Sequence, residues 1–148
     1  MIDIQFMRPE HIEEVTRIES DTFITPWTRS YFEKEMKNKI AVYIVALQDR
    51  HVIGYAGMWH IVNEGHIVNV AVKEEKRRLG VGSLLIRRLF DIAAEKEMIA
   101  LTLEVRMSNT AGQRLYHKLG FKAEGIRRRY YEETGEDAII MNKVLGTG

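Results

Sequence analysis

The segment KRRLGVGSLL, residues 76–85, places two arginines and two glycines directly before a run of helix-favouring apolar residues. A helix begins with unpaired backbone N–H groups and with the positive end of its dipole. Glycines at that point let an anionic group approach the backbone closely. The segment therefore favours a phosphate or pyrophosphate site, although a strand-to-helix turn that serves only geometry has the same composition.

Two better-defined phosphate motifs fit this segment poorly. A P-loop requires Lys followed by Ser or Thr after its second glycine, but Gly82 is followed by Ser83 and Leu84. A dinucleotide fingerprint requires a small residue at position 85, where this chain has Leu85. Glu104 does lie near the place where that fingerprint has its acidic residue. A dinucleotide therefore remains the weaker alternative at this point.

The patterns on either side of the segment predict an α/β fold of one domain, residues 1–148. Alternation and β-branched runs predict seven strands, and helical periodicity predicts about four helices. The predicted strands are residues 2–7, 41–47, 51–62, 66–73, 100–106, 121–131 and 137–145, and the predicted helices are 11–23, 30–38, about 81–96 and 109–119. Because a meander of strands precedes the first strand–helix unit, we expect a mixed, mostly antiparallel sheet rather than a regular doubly wound one.

Several local signals refine these helices. Ser30 and Glu33 have the spacing of a capping box, and Ser108 or Asn109 is expected to cap the last helix. Gly120 has the position of a glycine that ends a helix. The buried stripe of the long helix is expected to consist of Val81, Leu84, Leu85, Leu89 and Ile92.

The composition excludes several classes of protein. The chain has 22 basic and 21 acidic side chains, so its net charge of +1 excludes nucleic-acid binding driven by bulk charge. The absence of cysteine excludes disulfides, thiolate zinc sites and a cysteine nucleophile. The five histidines lack the spacing of metal ligands, so no metal is expected. No signal peptide or long apolar run is visible, so we expect a cytoplasmic protein without membrane association.

Five motifs outside and around the glycines carry more specific information. RRLGVG (77–82) has the pattern R-x-x-G-x-G, and it is followed by LEVRMSN (103–109), LYHKLGF (115–121), IRRRYY (126–131) and EDAIIM (136–141). Together they resemble the GNAT superfamily of acetyl-CoA-dependent N-acetyltransferases. Within it, the chain resembles the ribosomal-protein-alanine (RimI-type) N-terminal acetyltransferases from about residue 18 to the end. The resemblance implies a GNAT fold whose strands splay apart at the acetyl-CoA site.

The resemblance also implies which residues bind the donor, acetyl-CoA. The pantetheine arm would pair with backbone groups of one splayed strand, as an added strand does, and the pyrophosphate would lie at the helix N-terminus. The implied acetyl-CoA-binding residues are Val70, Ala71, Val72, Arg77, Arg78, Leu79, Gly80, Val81, Gly82, Ser83, Asn109 and Tyr116.

The catalytic residues implied by the resemblance are Glu104 and Tyr116. Glu104 would act as a base, through water, on an α-amine whose ordinary pKa is about 7.7–8.0, and Tyr116 would donate a proton to the departing sulfur. A backbone N–H near Val72 would polarise the thioester carbonyl. The residues alone also fit a Glu104 that is exposed and paired with Arg106 or a lysine, and a Tyr116 that only packs its helix.

The acceptor side is implied by two aromatic segments. In the family, loops at these positions border the groove for a protein N-terminus, which implies Phe23, Trp27, Tyr31, Tyr130 and Tyr131 as substrate-binding residues. Phe23 and Trp27 equally fit a place in the hydrophobic core. The arginines at 127–129 fit contacts with an acidic substrate or RNA, but a solvated strand edge explains them more simply.

Two departures from the family pattern lie at this entrance. Arg129 stands where asparagine is common, and Glu132 stands where proline is frequent. They leave the acceptor open, whereas the donor is expected to be acetyl-CoA.

We therefore expect acetyl transfer to a protein N-terminal α-amine in a ternary complex. The favoured acceptor is the N-terminal alanine of a small-subunit ribosomal protein, and the acceptor protein would be a ribosomal protein or another nascent chain. The alternatives are relaxed N-terminal, small-amine or lysine specificity, or a non-catalytic acyl-CoA-binding module. We expect a monomer or weak dimer without a metal and without direct contact to nucleic acid or membrane.

Overall fold

A computed structural model describes residues 1–146 as a seven-stranded sheet with helices on both faces. The elements are β1 (Ile2–Phe6), α1 (Ile12–Thr22), α2 (Arg29–Glu35), β2 (Ala41–Gln48), β3 (His51–Ile61), β4 (Glu64–Val72), α3 (Val81–Glu95), β5 (Ala100–Arg106), α4 (Thr110–Lys118), β6 (Lys122–Tyr131) and β7 (Glu136–Val144). The predicted element order and fold class are confirmed. Within residues 1–146, every helix is too short or too polar to cross a membrane.

The sheet has the strand order β1-β2-β3-β4-β5-β7-β6, and its only parallel pair within the described residues is β4 with β5. That pairing covers Glu64–His66 against Ala100–Thr102. Beyond these residues β4 continues to Val72 and β5 to Arg106, and no further pairing joins them over residues 1–146. The predicted splay of two strands is therefore present, and we call the point where β4 and β5 part the fork.

Each face of the sheet carries its own core. On one face, Leu85, Ile86 and Leu89 of α3 are fully buried against alternate residues of β5 such as Leu103. On the other face, α1 and α2 pack over β2, β3 and β4 around the fully buried Phe32. The remaining residues of β5, Thr102, Glu104 and Arg106, are half-buried and project to this second face. The chain thus directs its polar β5 side chains to the side of the fork that α1 and α2 border.

Local signals predicted the helix ends unevenly. Asn109 caps α4 by accepting a hydrogen bond from the Gly112 N–H at 2.8 Å, and Gly120 has φ +100°, as expected after a helix. The cap of α2 is Thr28, whose hydroxyl accepts from the Tyr31 N–H at 3.2 Å, so the prediction of Ser30 was wrong. Leu84 was also wrongly assigned to the buried stripe, because its side chain is 42% exposed on the outer face of α3.

Candidate active site

A cleft of about 670 Å³ opens at the fork. Its walls come from the α1–α2 connection, from the splayed parts of β4 and β5, from α4 and from the β6–β7 connection. The sequence-predicted residues that line it are Phe23, Trp27, Val70, Glu104, Asn109, Tyr116, Tyr130 and Tyr131. Residues far apart in the chain are thus brought together, and both predicted catalytic residues face the same space.

Glu104 lies in this cleft with its side chain 9% exposed. His66 Nε2 lies 2.8 Å from Oε1, the Tyr130 hydroxyl donates to Oε1 at 3.3 Å, and Arg127 Nε lies 3.6 Å from Oε2. The hydrogen bond from His66, followed by the charges of His66 and Arg127, lowers the pKa of Glu104 against the opposing effect of burial. Glu104 is therefore an ionised carboxylate at neutral pH.

The expected alternative partner of Glu104 has a different role. Arg106 forms hydrogen-bonded ion pairs with Glu133 and Glu136, and its guanidinium lies 3.9 Å from the centre of the Tyr131 ring. It therefore fastens the β6–β7 turn instead of neutralising Glu104.

His66 is a site residue that the sequence did not reveal. Its strand position pairs with Thr102 of β5, so its side chain shares a face with Glu104, two residues further along β5. On its other side, His66 pairs with Trp59 of β3. The contact of His66 with Glu104 joins residues 38 positions apart through a parallel register that no local pattern specifies. The only local signal was a polar residue at the first position of the predicted strand 66–73.

Tyr116 reaches the cleft from α4 on the opposite side. Its half-buried ring packs edge-on against Phe121, with ring centres 5.7 Å apart. The same residue lines the cleft, so Tyr116 both packs α4 and faces the candidate site. Burial, and then the neighbouring Tyr131, raise the pKa of Tyr116 to about 12. The hydroxyl is therefore protonated at neutral pH and can donate a hydrogen bond.

The open edge of β4 presents backbone groups to the cleft. Lys73 N–H bonds the Ile53 carbonyl of β3 at 2.8 Å, so Ala71 also turns its backbone groups toward β3. Because successive residues of a strand direct their N–H and C=O groups to opposite edges, Val70 and Val72 direct theirs toward the fork. The Val72 carbonyl accepts from Arg77 Nε at 3.1 Å, in agreement with this direction.

The two glycines of the opening segment have different surroundings at the start of α3. Gly80 has φ +80°, and a Cβ placed on it would have open space around it. A Cβ on Gly82 would lie 3.2 Å from Leu115 Cδ2, so this glycine allows α3 to pack against α4. The first hydrogen bond of the helix runs from Leu84 N–H to the Gly80 carbonyl at 3.0 Å. The backbone N–H groups of residues 81–83 therefore have no partner within the helix and are available to a ligand.

The rest of the predicted cradle is mostly exposed. Arg78 has φ +66° and Leu79 is 60% exposed, while Ser83 lies in the first turn of α3 and is half-buried. Within residues 1–146 no group of three or more His, Cys, Asp or Glu side chains is arranged to hold a metal ion.

The side of the cleft that is predicted to bind the acceptor is lined by residues between α1 and α2 and by Tyr130 and Tyr131, and we call residues 23–28 the acceptor loop. Phe23 and Trp27 line the cleft and also pack on the core beneath α1, so their place in the core is confirmed and their contact with a substrate stays a prediction. Tyr31 lies outside the cleft lining and stacks on Trp27, with ring centres 4.4 Å apart. Tyr31 therefore supports Trp27, and its expected contact with the substrate stays a prediction.

The three arginines 127–129 are exposed on β6, the last strand of the sheet, as expected for a solvated strand edge. Arg127 faces Glu104, whereas Arg129 adopts φ +53° at an irregularity of β6 and donates its N–H to Asp137 Oδ1 at 2.8 Å. Asparagine adopts this left-handed conformation more readily than arginine does. The local geometry would therefore suit asparagine, the residue that the resemblance led us to expect at this position.

Comparisons with known proteins identify the family of the chain. The sequence pattern of the Acetyltransferase (GNAT) family matches residues 12–121. A Bacillus subtilis (strain 168) protein described as a candidate ribosomal protein bS18-alanine N-acetyltransferase is 40% identical over 139 residues, which are 93% of this chain and 92% of that protein. The ribosomal protein bS18-alanine N-acetyltransferase of Salmonella typhimurium is 31% identical over 95% of this chain and 96% of its own length.

A solved structure shows the same fold. The crystal structure of the ribosomal-protein-S18-alanine N-acetyltransferase from Escherichia coli superposes with a TM-score of 0.92 at 29% identity. The alignment covers 100% of this chain and 96% of that chain.

Proposed function

The chain belongs to the acetyltransferase (GNAT) family and is an acetyl-CoA-dependent N-acetyltransferase, and we propose that its acceptor is the N-terminal α-amine of a protein. The favoured acceptor is the N-terminal alanine of a small-subunit ribosomal protein, as the names of its relatives indicate for those proteins. The observation that carries the proposal is that the Glu104 carboxylate and the Tyr116 hydroxyl face one cleft at the fork.

Acetyl-CoA, the acetyl donor, would occupy the side of the cleft where β4 and the start of α3 expose backbone groups. Acetyl-CoA would pair with the open edge of β4 at Val70 and Val72, as an added strand does. Its pyrophosphate would lie on residues 78–83, where the amides at the start of α3 remain as donors. Asn109 uses its side-chain oxygen to cap α4, which leaves its NH₂ group for the pantetheine arm.

The chemistry favours an α-amine over a lysine. At pH 7 about 10–17% of α-amines with a pKa of 7.7–8.0 are neutral, against about 0.04% of lysine side chains. The pKa of Glu104 is lowered, so this carboxylate is a weak base that cannot extract a proton from a lysine ammonium efficiently. An acceptor that is already partly neutral therefore suits this site best.

Glu104 and His66 would act together on the attacking amine. The amine nitrogen attacks the thioester carbonyl carbon, and a backbone N–H near Val72 stabilises the oxyanion that forms. Glu104 accepts a hydrogen bond from the amine, directly or through water, and stabilises the positive charge that develops on the nitrogen. Glu104, directly or through the water, then takes up the proton that leaves the nitrogen, and His66 orients the carboxylate by donating a hydrogen bond to its Oε1.

Tyr116 would act on the sulfur. A phenol with a pKa of about 12 is a much weaker acid than a thiol, whose ordinary pKa is about 8.5. Complete proton transfer from Tyr116 to the free thiolate is therefore uphill, and the hydroxyl assists by a hydrogen bond that strengthens as the C–S bond breaks. Coenzyme A leaves, and the nitrogen keeps the acetyl group.

A peptide panel tests the proposal. Peptides that vary in their first two residues and carry one internal lysine are incubated with acetyl-CoA, and mass spectrometry locates the acetyl group. We expect acetylation at the α-amine, fastest for Ala-initiated peptides, and none for the same peptides with a blocked N-terminus. Acetylation of the internal lysine or of small amines alone would contradict the proposed acceptor.

Binding of acetyl-CoA without acetylation of any peptide or amine would contradict the proposed acceptor as well. That result would favour a role in acyl-CoA binding.

A further inference from the structure

Glu19 is a buried carboxylate that takes no part in the chemistry described above. It lies in the last turns of α1, is 2% exposed and contributes to the wall of the cleft. Its Oε2 accepts from the Trp27 N–H at 3.0 Å, and its Oε1 accepts from the Tyr55 hydroxyl and from Asn69 Nδ2, the latter at 2.6 Å. One side chain thus joins α1, the acceptor loop, β3 and β4.

The bond to Trp27 anchors a segment that has no regular structure. The acceptor loop begins where the Phe23 N–H bonds the Glu19 carbonyl at 3.0 Å, and it ends at Thr28, the cap of α2. Between these points, the Trp27 amide is fastened to the Glu19 carboxylate. The main chain and the side chain of Glu19 therefore hold two separated points of the loop.

The bond to Asn69 connects the same carboxylate to the donor strand. Asn69 follows the irregularity of β4 and directly precedes Val70, whose backbone faces the fork. Asn69 also donates to the Tyr55 hydroxyl at 3.0 Å, which closes a hydrogen-bonded triangle with Glu19. The distance between the acceptor loop and the splayed part of β4 is thereby set by one side chain.

Burying the Glu19 carboxylate at this position costs free energy. A buried carboxylate loses its hydration, and within residues 1–146 no Lys, Arg or His forms an ion pair with Glu19. Burial accordingly raises the pKa of Glu19, while the Trp27 amide, Tyr55 and Asn69 act in the opposite direction. An apolar side chain would fill the same space without this cost, so its benefit lies in the geometry that its three donors impose.

We propose that Glu19 is a positioning residue that holds the acceptor loop against β4, so that Phe23 and Trp27 are in place to bind the acceptor chain. Glu19 touches neither the acetyl group nor the amine. The inference rests on the proposed function for its kinetic consequence, but its structural consequence is independent of the acceptor.

The chain offers a matched control in Glu35. This carboxylate is also buried, at 7% exposure, on the same face of the sheet. It accepts from the Tyr43 hydroxyl at 2.6 Å, from Trp59 Nε1 at 2.7 Å and from Asn38 Nδ2 at 3.0 Å. It therefore matches Glu19 in burial and in the number of donors, but it makes no bond to the acceptor loop.

The kinetic experiment compares Glu19→Gln and Glu19→Ala with Glu35→Gln and Glu35→Ala on the peptide that the wild-type protein acetylates best. We expect Glu19→Ala to raise the KM for the peptide about tenfold, as loss of a hydrogen bond to a charged group predicts. Glu19→Gln should raise it less, because one oxygen remains. The KM for acetyl-CoA and the kcat should change less than about threefold. An unchanged peptide KM, or an equal rise in the Glu35 variants, would overturn the inference.

Hydrogen exchange supplies the readout that does not depend on the acceptor. We expect the amides of residues 23–28 to exchange about tenfold faster in the Glu19 variants, while the same segment keeps its wild-type rate in the Glu35 variants. Exchange at the wild-type rate in the Glu19 variants would overturn the inference even if every peptide is acetylated. If the wild-type protein acetylates no peptide, the proposed function fails and the exchange experiment still decides the role of Glu19. Glu19→Gln serves both experiments if Glu19→Ala does not fold.

Discussion

The donor side of the cleft is built mainly from backbone, whereas the acceptor side is built from side chains. On the proposed donor side, the open edge of β4 and the amides at the start of α3 would supply the binding groups. On the acceptor side, the rings of Phe23, Trp27, Tyr130 and Tyr131 surround the space, and they are held by contacts such as those of Glu19 and Arg106.

This difference has a physical consequence for specificity. Backbone groups have the same chemistry in every relative, so one donor, acetyl-CoA, suits any chain that forms the fork and the helix start. Ring positions change with each substitution in the loops, so the acceptor changes much more easily. Glu104, Tyr116 and His66 line the same cleft, where under the proposal they would contact both the acetyl-CoA and the acceptor amine.

The largest expected effect is at the donor side, in Gly82→Glu. The new side chain would collide with Leu115 and place a carboxylate among amides that would bind the pyrophosphate. We expect calorimetry to detect no acetyl-CoA binding. Gly125→Ala is the control, because its new Cβ would make only an ordinary contact with Ile140. Wild-type affinity in Gly82→Glu would show that the donor does not bind at the start of α3.

Tyr116→Phe tests whether the Tyr116 hydroxyl assists the departure of the coenzyme A sulfur. The ring keeps its contact with Phe121 while the hydrogen bond to the departing thiolate is lost. We expect kcat to fall about 100-fold, with the affinity for acetyl-CoA nearly unchanged. A fall in affinity with normal kcat would instead assign Tyr116 to donor binding alone.

His66 sets the pH dependence of the centre. Because the folded pKa of Glu104 is lowered, its ionised form and its contribution to stability persist above the ordinary pKa of 4.5 and are lost as pH falls through the folded pKa. His66→Ala removes the largest cause of the lowered pKa, so the acidic limb of the kcat profile should move to higher pH. We expect kcat at pH 7 to fall about tenfold.

The conservative variant His66→Gln provides the control, because its amide can still donate to Glu104. It should retain most of the turnover and most of the wild-type profile. An acidic limb that does not move in His66→Ala would show that His66 leaves Glu104 unaffected.

The smallest expected effect is at the edge of the acceptor side, in Arg129→Asn. The substitution relieves a left-handed backbone conformation, so the free energy of unfolding should rise by up to about 1 kcal/mol. Thermal unfolding measures this, with Arg128→Asn as the control. Turnover of an Ala-initiated peptide should stay the same, and a higher peptide KM would instead assign Arg129 to the substrate.

Local patterns predicted the elements well, because alternation and helical periodicity depend on neighbouring residues. The sequence also identified Glu104 and Tyr116 as cleft residues through their family motifs. His66 and Arg127 could not be found as partners of Glu104, because their contacts depend on the register of β4, β5, β7 and β6, which is set by long-range packing. Thr28 was missed as a cap because Ser30, two residues later, matched the capping box by spacing alone.

The most direct test of the account is the turnover of Glu104→Gln at pH 7 with acetyl-CoA and an Ala-initiated peptide. Glutamine keeps the size of the side chain and removes the charge that His66 and Arg127 surround. With Glu64→Gln on the exposed start of β4 as the control, we predict a fall in kcat of about 100-fold and an unchanged affinity for acetyl-CoA. Wild-type turnover in Glu104→Gln would contradict the assignment of this carboxylate as the group that receives the acceptor amine.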